Sequence, residues 1–125
     1  MIGLATGAAA LRSYRDVAAS TRVLAATGSG LTAILYEELV DTLARAQRPE
    51  RLGEEAARAL GLIAELDAPL QGSASDFSAA MRAIHARAQG QILHALAKND
   101  PKWCQAAAAT IAPIAEAWAS VRSSS

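Results

Sequence analysis

The two histidines are the first candidates for metal binding or proton transfer in this chain of 125 residues. His85 and His94 lie on one predicted helix, and at about 100° per residue their side chains project to opposite sides of it. They therefore cannot share a metal ion, and the chain has no Glu-x-x-His pair of the kind that builds di-iron bundles. We predict no metal and no cofactor, and we expect both histidines at the surface or at its boundary.

Neither the cysteine nor the glycine-rich segment completes a catalytic motif. Cys104 is the single cysteine and has no base beside it in the sequence, so we interpret it as a small apolar residue of a helix. Gly28-Ser29-Gly30 precedes a predicted helix, as a phosphate-binding loop would. The lysine and the preceding strand of a P-loop are missing, so this signal is weak.

Carboxylates cluster at Glu37, Glu38 and Asp41 on the first long predicted helix. We interpret them as a solvated face, in which Asp41 and Arg45 are spaced to pair at i, i+4. General acid–base catalysis needs a desolvated partner that the sequence does not supply. The sequence therefore predicts no catalytic residue and no enzyme.

The composition favours a helical protein. Hydrophobic residues make up 52% of the chain and aromatic residues only 4%, and alanine, the best helix former, is abundant. The formal net charge of +0 gives no electrostatic footprint for a nucleic acid. No basic leader precedes the apolar N-terminus, and no run approaches the roughly 18 apolar residues of a membrane span. We expect a cytoplasmic protein without membrane insertion.

Helical periodicity divides the chain into five predicted helices, with breaks at glycine, proline and serine. The first bundle helix is predicted to bury one stripe, formed by Leu31, Ile34, Leu35, Leu39 and Leu43. Asp100 and Pro101 suit the N-cap and first position of the last helix, which predicts a tight helical hairpin. The predicted fold is all-α: one domain over residues 1–125, with an N-terminal cap helix (1–28) and an antiparallel up-down four-helix bundle (29–122).

The last predicted helix has an unusual composition, because residues 103–121 carry only one charge, Glu116. One explanation is that alanine forms helices and tolerates the surface. The other is a smooth groove, near Ala108, Ala112 and Ala119, in which another protein packs a helix. Pro113 predicts a kink in this helix.

Several motifs together resemble one known family. They are Tyr14 in Ser-Tyr-Arg-Asp-Val, Leu35-Tyr36-Glu37, the segment from Leu93 to Asp100 that ends in Lys-Asn-Asp, and Ile114-Ala115-Glu116-Ala117-Trp118. Their order and spacing resemble the flagellar export chaperone family FliS over about residues 11 to 120. The chain departs from that family in having Gly28-Ser29-Gly30 where Ser-Pro is usual, and in the segment around His85.

The resemblance implies a small cytoplasmic bundle that binds the C-terminal segment of flagellin. Such a chaperone prevents premature polymerisation and assists delivery to the export gate, which makes an export-gate component a second implied partner. The resemblance matches Tyr14 and Tyr36 to aromatic residues of the family and places Trp118 in the core. The protein-binding residues expected from both arguments are Tyr14, Tyr36, Ile84, Ala108, Ala112, Ala115 and Ala119.

Two other functions stay open at this point. One is a helical adaptor with a different protein partner that dimerises through the same open surface, so the expected state is a monomer or a weak homodimer. The other is an enzyme or ligand carrier, which would require a cluster of buried polar side chains.

Overall fold

The computed structural model describes residues 28–123, and within this range the chain forms four α-helices and no strand. Two short 3-10 turns, Pro49–Arg51 and Ala68–Leu70, follow the first two helices. The helices are α1 (Gly28–Arg45), α2 (Leu52–Asp67), α3 (Asp76–Lys98) and α4 (Lys102–Ser123). The predicted N-terminal helix, with Tyr14, lies outside the described residues.

The glycine-rich segment belongs to a helix. We expected Gly28-Ser29-Gly30 to interrupt the helical structure, but all three residues lie within α1. The prediction of a break across residues 28–30 was therefore wrong.

The turn between α3 and α4 has the geometry that its residues predict. Asn99 closes α3 in the left-handed conformation (φ 50°), and its N–H and that of Asp100 donate to the carbonyls of Leu96 (3.3 Å) and Ala95 (2.9 Å). The Asp100 carboxylate then accepts from the backbone N–H of Lys102 at 3.1 Å. The Asn-Asp-Pro turn thus ends one helix and starts the next within three residues.

The helices form a bundle in which each contacts the next along the chain and α4 contacts α1. The core between them is apolar. Its largest fully buried apolar side chains are Tyr36, Leu39, Leu43, Ile63, Met81, Ile92, Ile111 and Ile114. Helical spacing predicts one buried stripe on α3 (Phe77, Met81, Ile84, Ala88, Ile92 and Ala95) and one on α4 (Trp103, Ala107, Ile111, Ile114, Trp118 and Val121). All of these residues are buried except Phe77, Ile84 and Trp103, which are half-buried and pack against the core.

The first turns of α1 face a different way from the prediction. Leu31 and Ile34 are 58% and 47% exposed, whereas Ala33 and Tyr36 are buried. The inward side of this part of α1 is the side that carries Tyr36, because its hydroxyl has a hydrogen-bond partner inside the bundle. The expected burial of Leu31 and Ile34 was therefore wrong.

That partner is His85, which is 1% exposed and not at the surface as we expected. Its Nδ1 lies 2.9 Å from Asp67 Oδ1, and its Nε2 lies 2.8 Å from the hydroxyl of Tyr36. Because the carboxylate can only accept, Nδ1 donates to it and Nε2 accepts from the tyrosine. Arg82 Nε donates to the other oxygen of Asp67 at 3.2 Å. This chain, which we call the Tyr36–His85–Asp67 network, links α1, the end of α2 and α3.

The network also sets the protonation of its members. Burial lowers the pKa of His85 against the opposing effect of Asp67, so the imidazole stays neutral. Burial alone would raise the pKa of Asp67, but the hydrogen bonds from His85 and Arg82 outweigh it and lower that pKa. A neutral histidine beside an ionised carboxylate satisfies all three polar groups inside the bundle.

The last helix has one covered side and one exposed side. It lies between α1 and α3, which cover most of its apolar residues. Its outward stripe is formed by the exposed residues Lys102, Gln105, Ala109, Pro113, Glu116 and Ser120. Only a narrow apolar strip beside this stripe remains for a partner.

Pro113 stands on that outward stripe, and α4 continues through it from Lys102 to Ser123. The proline ring removes the hydrogen bond to the carbonyl of Ala109. Because Ala109 is itself exposed, water can reach its carbonyl group. The proline is therefore tolerated where it stands.

Candidate protein-binding groove

A shallow groove of about 390 Å³ runs between α1 and α4. We call it the α1–α4 groove. Its lining residues are Glu37, Val40, Asp41, Ala112, Ala115, Glu116 and Ala119. Helical spacing explains why these residues share one surface. Ala112, Ala115 and Ala119 recur at i, i+3 and i+7 on α4, and Glu37, Val40 and Asp41 recur at i, i+3 and i+4 on α1.

The floor of the groove is apolar and consists of small side chains. Val40 lies on the α1 side, and the three alanines lie on the α4 side. Ala115 is buried, whereas Val40, Ala112 and Ala119 are half-buried. Because an alanine methyl projects so little, the backbone of a second helix can approach α4 closely here. The groove can therefore hold an apolar helix stripe but has no group that could carry out a reaction on it.

The rim of the groove is acidic on both sides. Glu37 and Asp41 stand on the α1 side and Glu116 on the α4 side, all three are exposed, and no basic residue lines the groove. We expected Asp41 to pair with Arg45, and this prediction was wrong. Arg45 instead lies 3.4 Å from Glu38 and 3.3 Å from Glu55. Among residues 30–121, Asp41 and Glu116 have no ion pair.

One cluster of basic residues lies outside the groove. Arg45, Arg48 and Arg51 line a pocket of about 270 Å³ at the connection between α1 and α2. Two of them hold the buried carboxylate of Glu55, and Arg51 Nη2 donates to it at 2.6 Å. This hydrogen bond lowers the pKa of Glu55 and keeps it ionised. Arg45 and Arg51 thus pair with buried Glu55 and do not line the α1–α4 groove.

A third depression of about 260 Å³, the end groove, lies where α1 and α3 begin and α2 and α4 end. Exposed Leu31 and half-buried Leu35 and Phe77 form part of its wall, and Tyr36, Met81 and Trp118 close it from the inside. Its lining consists mostly of large apolar side chains. Any occupant of it would rest on the side of the core that holds the Tyr36–His85–Asp67 network.

The residues predicted for protein binding do not form one cluster. Ala112, Ala115 and Ala119 lie together in the α1–α4 groove. Ala108 is half-buried one turn away along α4 and packs against the core. Ile84 is half-buried on α3, also packs against the core, and lines none of the three depressions.

Tyr36, which we predicted to bind a partner, lies inside the bundle. It is 2% exposed, and its hydroxyl is held by His85. A direct contact with a partner therefore requires that partner to reach the inner wall of the end groove, which Tyr36 helps to line. Within the bundle its side chain stabilises the fold.

Sequence reasoning overlooked the α1 side of the groove and its acidic rim. Val40 belongs to α1 at one helical turn from Tyr36, and Glu37 and Asp41 flank it. We noted Glu116 only as the single charge of its helix. The sequence does show two acids at i, i+4 (Glu37 and Asp41) on either side of Val40. The α4 alanines that complete the groove, however, lie more than 70 residues further along the chain.

The described residues offer little for other kinds of chemistry. Residues 28–123 contain no group of three metal-ligating side chains close enough to hold an ion. Cys104 lies in α4 and is fully buried, and burial raises the pKa of its thiol, which disfavours the reactive thiolate. No helix in this range is both long and apolar enough to cross a membrane.

Comparison with known proteins identifies the family. The family model described as flagellar protein FliS matches residues 10–125, which is nearly the whole chain. No curated protein and no solved structure matches the chain in the corresponding comparisons. The matched range includes all the motifs on which the sequence resemblance rested. The chain therefore belongs to the FliS family, and the prediction of that family is confirmed.

Proposed function

We propose that this chain is a cytoplasmic, non-enzymatic export chaperone that holds the C-terminal segment of flagellin in the α1–α4 groove. It prevents premature polymerisation of flagellin and assists its delivery to the export apparatus. Membership of the FliS family supports the role of flagellar chaperone. In this proposal residues 1–125 form one domain, in which the four helices alternate in direction and the N-terminal segment adds a further helix.

The observation that carries the proposal is the groove itself. Three of its residues, Ala112, Ala115 and Ala119, extend over about two helical turns at i, i+3 and i+7. An amphipathic guest helix presents anchors with the same spacing when it lies in a groove. The match in length and period favours a helical guest of two or more turns over an extended strand.

The buried polar network does not suggest an enzyme. Asp67, His85 and Tyr36 follow the order acid, histidine and hydroxyl, which also occurs in catalytic relays. Here His85 and Tyr36 are 1% and 2% exposed, so a substrate cannot reach the hydroxyl. The arrangement is better suited to joining three helices than to attacking a bound molecule.

Isothermal titration with a peptide of the C-terminal flagellin segment from the same genome tests the function. We expect binding with a large negative heat-capacity change, because apolar surface is buried when the guest folds on the bundle. The Ala112→Glu variant places a charge on the groove floor and should weaken binding about tenfold or more. Ala109→Glu is the matched control, since Ala109 is exposed on the same helix and does not line the groove.

The titration also distinguishes the alternative function. Absence of heat at micromolar peptide with the folded wild-type chain would overturn the flagellin assignment. If sedimentation of the same chain then shows a stable dimer, the helical adaptor becomes the better account. Circular dichroism of Ala112→Glu must show retained helix, because a collapsed signal would mean that position 112 supports the core.

A further inference from the structure

We propose that the α1–α4 groove selects a guest helix whose small apolar stripe is flanked on both sides by lysine or arginine. This inference rests on the proposed function, since it specifies the chemistry of the guest that the groove would hold. It adds a charge requirement to the requirement for an apolar helix.

The positions of the carboxylates support flanking charges on both sides. Glu37 and Asp41 form the α1 rim, and Glu116 forms the α4 rim one turn after Ala112. A guest helix that lies along the alanine floor presents its anchors downward, and the residues beside those anchors then face the two rims. Each rim therefore faces a different flank of the guest.

Within the described residues, the bundle supplies no cation to Asp41 or Glu116. Arg45 is the only basic residue of α1, and it is engaged by Glu38 and Glu55. On α4, Lys102 lies more than three turns before Glu116, and it is close to Asp100. Among the described residues Asp41 and Glu116 therefore have no cation that could neutralise them when a guest covers the groove.

Charge complementarity then discriminates between apolar helices. A guest with acidic or neutral flanks would bring like charges together, or would partly desolvate Asp41 and Glu116 without a partner. A guest with basic flanks would gain charge-assisted hydrogen bonds to the same carboxylates. Since all three acids are exposed, the effect should appear mainly in the association rate and in its dependence on salt.

The test compares two neutralised variants with the same net charge. Asp41→Asn combined with Glu116→Gln removes the charge from both rims, and Glu50→Gln combined with Glu54→Gln removes two exposed acids that do not line the groove. Association of the flagellin C-terminal peptide is followed by stopped-flow fluorescence at low and high salt. We expect the rim variant to associate severalfold more slowly at low salt and to lose most of its salt dependence.

Charge reversal gives a second, independent readout. Asp41→Lys combined with Glu116→Lys should weaken binding of a designed alanine-leucine helix with lysine flanks by about tenfold. It should strengthen binding of the same helix with glutamate flanks. This pair of designed peptides tests the charge requirement even if the flagellin peptide does not bind.

The outcomes separate the inference from the proposed function. Equal salt dependence in the two neutralised variants, with tight flagellin binding, would overturn the charge requirement and leave the chaperone role standing. Equal binding of both designed helices to the wild type, or no binding of either, would also overturn it. So would a dimer of this chain that the lysine-flanked helix fails to dissociate, because the occupant would then be a second copy. If the flagellin peptide does not bind but the lysine-flanked helix binds selectively, the result would count against flagellin as the partner and would support the charge requirement.

Discussion

Two sides of α1 use the same helix in opposite ways. Toward α2 and α3, it contributes Tyr36 to a buried chain of hydrogen bonds of 2.8 and 2.9 Å that ends at Asp67. Toward α4, it presents Val40 between two acids along an open floor of alanines. The first side has directional bonds that specify one arrangement. The second has small side chains that leave room for another molecule.

The two sides of α1 therefore have different roles: one fixes the packing of the bundle, and the other can accept a partner. Buried polar groups are costly unless all their partners are present, so the Tyr36–His85–Asp67 network strongly favours one packing of α1, α2 and α3. Alanine packing has no such directional requirement, so the α1–α4 groove can accept a guest without breaking a bond. Substitutions on the two sides should therefore have different consequences.

The largest effect should come from breaking the network. His85→Ala leaves the carboxylate of Asp67 and the hydroxyl of Tyr36 without their shared partner inside the protein, which should lower the free energy of unfolding by about 3 kcal/mol. Urea denaturation measures it. The control is His94→Ala on the same helix, where the side chain is exposed and only an edge contact with Trp103 is lost, so a change below about 1 kcal/mol is expected. Similar losses in both variants would contradict the structural role of the network.

Mild acidification should lower the stability of the protein, because it protonates a member of the Tyr36–His85–Asp67 network. Burial holds the pKa of His85 in the folded state below that of the unfolded chain, so below about pH 6.5 the unfolded state takes up the proton first. The free energy of unfolding should therefore fall as the pH drops from about 7 toward 5. A further loss should begin below about pH 4, where the lowered pKa of Asp67 is approached.

The same pH series on a His85 variant tests whether His85 causes this loss of stability. His85→Gln removes the titrating group, so the stability of this variant should depend much less on pH between about 5 and 7 than that of the wild type. An unchanged slope in this variant would place the proton uptake elsewhere.

The smallest effect on stability is expected on the groove side. Ala119→Leu fills half-buried space in the α1–α4 groove, so it should change the free energy of unfolding by less than about 1 kcal/mol. It should nevertheless weaken binding of the flagellin peptide severalfold, because the larger side chain occupies space that the guest helix needs. Urea denaturation and titration of the one variant measure both quantities. A large loss of stability with unchanged binding would reverse the comparison between the two sides.

Much of the fold could be read from periodicity. The stripes of α3 and α4 and the Asn99-Asp100 turn depend on neighbouring residues, and the structure agrees with them. The orientation of α1 could not be predicted in this way. It follows from a bond between Tyr36 and His85, which are 49 residues apart, and helical spacing carries no information about such a pairing.

The same limit explains the partial prediction of the groove. The alanines of α4 could be found because their helix has an unusual composition. Their opposite side, Glu37, Val40 and Asp41, becomes part of the groove only when α1 packs beside α4, a contact between the two ends of the described chain. The pairing of Arg45 with Glu55 across two helices similarly displaced the local pair with Asp41.

Methyl NMR of an alanine-labelled sample tests the central claim, that a guest docks between α1 and α4. On addition of the flagellin C-terminal peptide, the methyl signals of Ala112, Ala115 and Ala119 should shift together and saturate at one affinity. The exposed alanines of α2, Ala57 and Ala64, should keep their positions. Binding that shifts the α2 alanines and leaves the three groove alanines unchanged would contradict the account.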